Sequence, residues 1–483
     1  MKKICAQINL GEKVLSWCEK TTFHAVPNIA TNEHIILKIM WSICLIASLG
    51  YCCRILTSSI NDYYEYRVLT TFEIVQESSN LFPVITICNL NEYDLSKNTN
   101  LLNMSNYLIE NTDDKDLNPK ETFEKIKKEF LKNANITELE ETRFKLNDML
   151  ISCNFNEIKC DLTDFTLIKN ELYGNCYSFN MAKNESIRST SKYGPKYGLQ
   201  MEFYIGHPES SSPTSLTSGA ILFINNQSSL VRLTDPGIEL SPGTQTNIAI
   251  NRMFIYKLPQ PYSDCIQGDL YENNETYFVQ MTLSKRENYS QSFCLDICYE
   301  NYLVNECNCT DKDLNNTCYL NTENFWCFYE MKKKFFDLNF NENCKQQCPI
   351  ECERVTYKVA SLSTADYPSL FYEKILLNNS FIRERFKIEE NIENLYSDSD
   401  DTGRKFYEEF RNSILSVNVY YDTDTYEKIT ETPETNFETL LANLGGQFGL
   451  FLGISLLSFL ELIELFVWVI VYLIQKISAL ISS

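Results

Sequence analysis

Apolar positions along this chain fall into two long runs separated by a middle of short, patterned ones. Ile35 to Cys53 is apolar apart from Lys38, and Leu444 to Ile474 forms a second run of 31 residues. About 20 helical residues cross a bilayer core of about 30 Å, so either run predicts a span. As one continuous helix the second would measure roughly 46 Å, which predicts that it tilts, projects beyond the bilayer or breaks. Between the runs, Phe82 to Cys88 alternates β-branched residues as a strand does. Residues 119–132 place Phe123, Ile126 and Phe130 at helical spacing behind a first-turn proline. Residues 196–258 read as short strands, 290–304 and 322–337 as helices, the acidic stretch 389–403 as a loop, and Ser413 to Tyr421 as a returning strand. No internal repeat is present.

Charge and glycan acceptors orient this layout. Lys2, Lys3, Lys13 and Lys20 precede the first run, and positive charge favours the cytoplasm. A cleaved signal peptide competes for that run. The preceding Trp17, Cys18 and mixed charges, without a small-residue cleavage site, favour a retained anchor. The expected organisation is a cytoplasmic 1–34, a transmembrane helix over 35–56, an extracellular 57–441, a second span with pore over 442–474, and a cytoplasmic 475–483. All nine Asn-x-Ser/Thr acceptors fall in the segment placed outside, at Asn103, Asn135, Asn184, Asn226, Asn274, Asn288, Asn308, Asn315 and Asn378. The same segment holds 14 of the 19 cysteines, an even number where disulfides persist. Cys5, Cys18, Cys44, Cys52 and Cys53 lie elsewhere, and Cys5 and Cys18 are expected to be free thiols. A zinc site at Cys307 and Cys309 is the competing reading, but no histidine follows His207. The fold class that emerges is a two-span α-helical membrane protein with a large disulfide-rich α+β ectodomain.

Acidity is uneven too. Residues 59–439 carry a net charge of −23. A negative vestibule would concentrate cations, and a merely soluble acidic surface explains the number equally well. The second run adds a sharper signal. Glu461 and Glu464 sit three apart inside it, on one helical face, and carboxylates in hydrocarbon turn toward water or a partner helix. That face reads as the wall of a cation pathway. Gly445, Gly449 and Gly453 would also form a small-residue packing stripe, which is compatible with a tight pore.

Several motifs then line up in order. They are Phe82-Pro-Val-Ile-Thr-Ile-Cys-Asn-Leu-Asn91, Tyr173-Gly-Asn-Cys-Tyr-Ser-Phe-Asn180, Gly194-Pro-Lys-Tyr-Gly-Leu199 and Leu258-Pro-Gln-Pro-Tyr262 before Cys265. Cys294-x3-Cys298, Cys307-x-Cys309 and Gly445-Gly-Gln-Phe-Gly-Leu-Phe-Leu-Gly-Ile-Ser455 complete the set. With them the chain resembles the degenerin/epithelial sodium channel family nearly end to end, in the style of arthropod pickpocket or Nach-type members.

The resemblance implies a homo- or heterotrimer of homologous subunits in the plasma membrane, with both termini cytoplasmic. It implies an amiloride-sensitive, sodium-selective pore gated through an ectodomain with a β core and helical thumb and finger regions. Carried over by position, it implies the disulfides Cys88–Cys176, Cys153–Cys160, Cys265–Cys352, Cys294–Cys348, Cys298–Cys344, Cys307–Cys327 and Cys309–Cys318. Gly453, Ile454 and Ser455 match the selectivity filter, where backbone and hydroxyl oxygens suit a hard cation, and rings of Glu461 and Glu464 would attract cations and repel anions. His24-Ala25 matches a His-Gly gating motif with alanine in place of glycine. Ala442 holds the degenerin position eleven residues before Gly453. Tyr66 and Tyr262 match an aromatic pair that couples thumb to gate. Arg67-Val68 replaces the histidines of acid-sensing members, which argues against that route of proton gating.

No nucleotide loop, metalloprotease motif or serine–histidine constellation appears, so no enzyme, no resident cofactor or metal beyond transported sodium, and no nucleic-acid partner is expected. The bilayer is the expected environment. A non-conducting accessory subunit or cell-surface receptor using the cysteine-rich ectodomain is the alternative, kept open by Ala25.

Overall fold

The computed structural model describes residues 10–481 except 112–117, 171–172, 182–186, 228–235, 268–275, 286–288, 311–317, 319–321, 338–339 and 389–400. Cys5, the acceptors Asn184, Asn274, Asn288 and Asn315, and most of the acidic 389–403 lie outside the described residues. The chain divides into two compact units, one of residues 1–70 with 431–483 and the other of residues 71–430.

The strands run β1 (Val68–Gln76), β2 (Asn80–Leu81), β3 (Val84–Asn89), β4 (Leu150–Phe155), β5 (Ile158–Lys159), β6 (Phe165–Asn170) and β7 (Gly174–Phe179). They continue as β8 (Ser189–Thr190), β9 (Leu199–Tyr204), β10 (Ala220–Asn225), β11 (Ile238–Leu240), β12 (Thr244–Tyr256), β13 (Glu353–Asp366) and β14 (Ile414–Pro433). A seven-stranded sheet has the order β13-β12-β14-β9-β4-β5, with β1 added on β14. β12 pairs antiparallel with β13 and parallel with β14. A second sheet runs β11-β10-β3-β7-β6. The core draws on both, with Phe82, Phe155 and Phe179 in mutual edge or tilted contact and Phe203, Val417 and Val419 buried among them. β3 forms where its β-branched residues place a strand, and it is buried at every position rather than on alternate ones.

The helix Pro119–Asn133 starts where the sequence places it. The Asn118 side chain accepts from Glu121 N and the Glu121 carboxylate accepts from Asn118 N, a reciprocal cap ahead of a first-turn proline. The helices Gln291–Cys307 and Thr322–Asp337 also form. Two expectations change. Residues 401–403, read as loop, open the helix Asp401–Arg411, whose Phe406 and Phe410 stand one turn apart and bury against Phe386. The returning strand β14 runs on to Pro433 because its polar second half pairs with β12 as far as Thr430 and also carries β1.

The 14 cysteines between Cys88 and Cys352 are joined as Cys88–Cys176, Cys153–Cys160, Cys265–Cys352, Cys294–Cys348, Cys298–Cys344, Cys307–Cys327 and Cys309–Cys318. Four of these bridges tie the helical segment 291–348 into a cluster with its own core around Ile297, Leu303 and Phe335. Cys18, Cys44, Cys52 and Cys53 are free. The acceptors Asn103, Asn135, Asn308 and Asn378 are exposed and Asn226 is half-buried.

In the smaller unit, Ile35–Tyr64 is one helix of 30 residues. The second apolar run is broken. Helix Phe437–Leu452 ends at Gly453, and helix Leu456–Ile481 begins three residues later. Of the three outcomes open to a run of that length, the chain takes the break.

Candidate functional site

The break is built from backbone first. Gly453 has φ +69° and ψ 18°, the left-handed region that glycine enters without strain. Its N–H returns to Gly449 O at 3.0 Å and the Ile454 N–H to Phe448 O at 3.2 Å, which closes the first half-helix. The second half-helix opens on reciprocal serines. Ser455 N–H donates to Ser458 Oγ at 2.9 Å, and Ser458 N–H donates to Ser455 Oγ at 3.3 Å. This is the logic of a capping box with serine in both places. Gly453, Ile454 and Ser455 are therefore the whole non-helical interval of the second span, and Ser455 spends its hydroxyl on that cap.

The N-terminal segment fits against the break. Helices Leu10–Lys20 and Val26–Thr31 flank a turn that carries Thr21, Thr22, Phe23 and His24. His24 N–H donates to Leu452 O at 2.8 Å, taking a carbonyl that the break leaves without a helical partner. The His24 imidazole lies across Gly453, and a Cβ there would stand 2.7 Å from Nε2. Ala25 follows with φ +70°, a left-handed conformation that costs an L-residue about 1–2 kcal/mol. A glycine at this position would adopt it freely.

The two glutamates, expected on one face, have different partners. Glu461 accepts from Thr21 Oγ1 at 2.7 Å and from Thr22 N–H at 3.0 Å, and its backbone carbonyl accepts from Trp17 Nε1 at 2.8 Å. Thr22 and Ser458 hydroxyls share a hydrogen bond of 2.7 Å. Glu464 is exposed, with Trp468 Nε1 at 3.5 Å. Lys13 stands over the Trp468 ring at 4.5 Å. Glu461 thus docks the N-terminal turn, while Glu464 keeps its carboxylate open.

Ala442 is exposed in the second turn of the helix Phe437–Leu452. Tyr66, with φ +49°, has Tyr63 and Tyr64 within 6.4 Å, centroid to centroid. Tyr262 closes a turn by donating its N–H to Pro259 O at 3.0 Å. Sequence reasoning missed Trp17, Thr21, Thr22 and Ser458. Only Ser458 left a local signal, three residues after Ser455.

A family model described as the amiloride-sensitive sodium channel matches residues 17–465. Epithelial sodium channel subunit gamma-2 of Xenopus laevis is 29% identical over 333 residues, covering 67% of this chain and 46% of that one. The gamma subunit of Rattus norvegicus is 28% identical over 334 residues, covering 67% and 47%. The chain spans about half the length of the curated relatives it matches. Among solved structures, a proton-activated chloride channel aligns over 89% of this chain and 98% of its own at 7% identity, with a TM-score of 0.31, too slight a likeness to bear on the fold.

Proposed function

The chain belongs to the amiloride-sensitive sodium channel family, and from that membership we propose that it is a subunit of a trimeric, amiloride-sensitive, sodium-selective cation channel gated through its ectodomain. The observation that carries this is the second apolar span, broken at Gly453-Ile-Ser455 with an open carboxylate at Glu464 one helical stretch further on. A membrane helix gives up backbone hydrogen bonds only where protein or a water-filled cavity satisfies the freed groups. Oxygen-rich backbone followed by carboxylate suits a hard monovalent cation. Sodium is the ion named by the curated relatives, which supports it here. Both termini are cytoplasmic in this reading, supported by the lysines before the first span and the acceptors between the spans. Homologous subunits complete the pore, and the plasma membrane is its place. The motif style supports a pickpocket or Nach-type member within the family.

The second reading is a non-conducting accessory subunit or surface receptor. It draws on Ala25, which holds a left-handed backbone where glycine would be unstrained. Whole-cell recording with and without amiloride separates the two. Ala442 is exposed in the single chain. In the trimeric reading a larger side chain there crowds the three second spans where they converge in the closed state, so Ala442→Val makes that state costlier. The channel reading expects amiloride-sensitive sodium current from Ala442→Val even where the parent is nearly silent. A well-surfaced variant without current, alone or with homologous subunits, selects the accessory reading.

A further inference from the structure

Helix Leu10–Lys20 is amphipathic, yet none of its residues is buried. Val14, Leu15 and Cys18 recur at the spacing of one helical face. That face borders an open apolar groove of about 470 Å3, walled on the far side by Ile29 and Ala30 of the helix Val26–Thr31 and by Leu45 of the helix Ile35–Tyr64. We propose that this groove holds an acyl chain of a bilayer lipid.

Three observations point to that occupant. The lining is almost wholly apolar, so the groove offers water few hydrogen-bond partners. Left empty, its walls would lack the contacts that close packing supplies, and its size lies within the range of ligand pockets. Its wall is also continuous with a surface that lipid covers. Leu49 stands one turn beyond Leu45 on the same face of a membrane helix and is 50% exposed, and neighbouring Ile46 is 71% exposed. An acyl chain can pass from the bilayer into such an opening without crossing polar ground. The N-terminal helix, whose apolar face meets Ile29, Ala30 and Leu45 only across this gap, then rests on lipid. This inference needs the spans but not conduction, so silence in recordings leaves it standing.

The test uses the full-length protein in nanodiscs that contain a phosphatidylcholine with a diazirine near the end of one acyl chain. After irradiation, adducts are mapped by peptide mass spectrometry. Expected are adducts at residues 14–18 and 26–30 in addition to Ile46 and Leu49. Ile29→Trp and, separately, Ala30→Phe fill the groove and should lose the adducts at 14–18 while keeping those at Ile46 and Leu49. The same diazirine placed on the headgroup should not label 14–18. A parent protein labelled only on its membrane helices overturns the proposal without any variant. Adducts at 14–18 that persist in folded, filled variants overturn it as well, since they would report a helix lying on the membrane surface. Intersubunit cross-linking through Cys18 would assign the groove to a second copy of this chain and would also overturn it.

Discussion

The His24 imidazole occupies the space into which any side chain on Gly453 would project, while the His24 N–H holds the Leu452 carbonyl immediately before it. Residues far apart in sequence thus share one joint in the second span. Gly453→Ala meets two penalties there, a left-handed φ and a Cβ 2.7 Å from His24 Nε2. Together they should cost about 2–4 kcal/mol in this conformation. Removing the imidazole in Gly453→Ala/His24→Ala should recover the steric part and leave the backbone part. Thermal midpoints of the four proteins in one detergent provide the cycle. Additive losses would show that the two residues do not meet.

Ala25 carries the other left-handed backbone in the same turn. Ala25→Gly should stabilise this docked state by about 1 kcal/mol, because glycine enters that region without steric penalty. The gain is reduced by glycine's larger entropy when undocked. Slower proteolysis of residues 10–31 in the variant is the expected readout. Faster cleavage would mean that the flexibility term dominates.

The carboxylates one turn apart should separate by phenotype. Glu461 holds Thr21 and Thr22, whereas Glu464 accepts, among the described residues, only a 3.5 Å bond from Trp468 Nε1. Thr21→Val deletes one hydroxyl bond to a charged acceptor, a loss of about 1.5–3 kcal/mol at a buried site. Thr21→Val and Glu461→Ala should therefore both expose the N-terminal segment to protease. Glu464→Gln should leave digestion unchanged and reduce cation over anion permeability. If Glu464→Gln released the segment while Glu461→Ala did not, these roles would be reversed.

Some of this was written in the sequence and some was not. Asn118, Pro119 and Glu121 state the start of a helix within four residues, and the structure obeys them. The β-branched residues before Cys88 likewise state a strand, though not its burial on both faces. The break at Gly453 is different. Gly445, Gly446 and Gly449 belong to the same helix and remain helical, so glycine alone does not select the site. What distinguishes Gly453 is His24 taking the Leu452 carbonyl and Ser455 and Ser458 capping the next helix. The first of these is a long-range contact that no local pattern reports. The partners of Glu461 went unread for a related reason. Helical spacing gives the face a carboxylate shares, and only tertiary structure gives the hydroxyls that meet it.

In the larger unit, Asp148 gathers two cations from separate segments. Lys97 Nζ stands 2.7 Å from Oδ2, and Arg385 contributes a guanidinium nitrogen 2.7 Å from Oδ1. Burial pushes the Asp148 carboxyl up, but hydrogen bonds and charge from Lys97 and Arg385 outweigh it and hold the group below its ordinary value. A carboxyl depressed in the folded state adds stability above its unfolded pKa, about 3.9, and that stability is lost as the pH falls through the lower folded value. Asp148→Asn should therefore cost about 1–3 kcal/mol at neutral pH, since it removes charge-assisted bonds from both partners. The gap between parent and variant should narrow as the pH drops below about 4, where the parent carboxyl also loses its charge. Many carboxylates titrate in that range, so the difference in thermal midpoint between the two proteins is the quantity to follow, at fixed ionic strength. High salt should shrink the gap only modestly, because the Asp148 side chain is just 15% exposed and such pairs are weakly screened. A gap that stayed constant from pH 7 to pH 3 would mean that Asp148 contributes packing or neutral hydrogen bonds rather than charge.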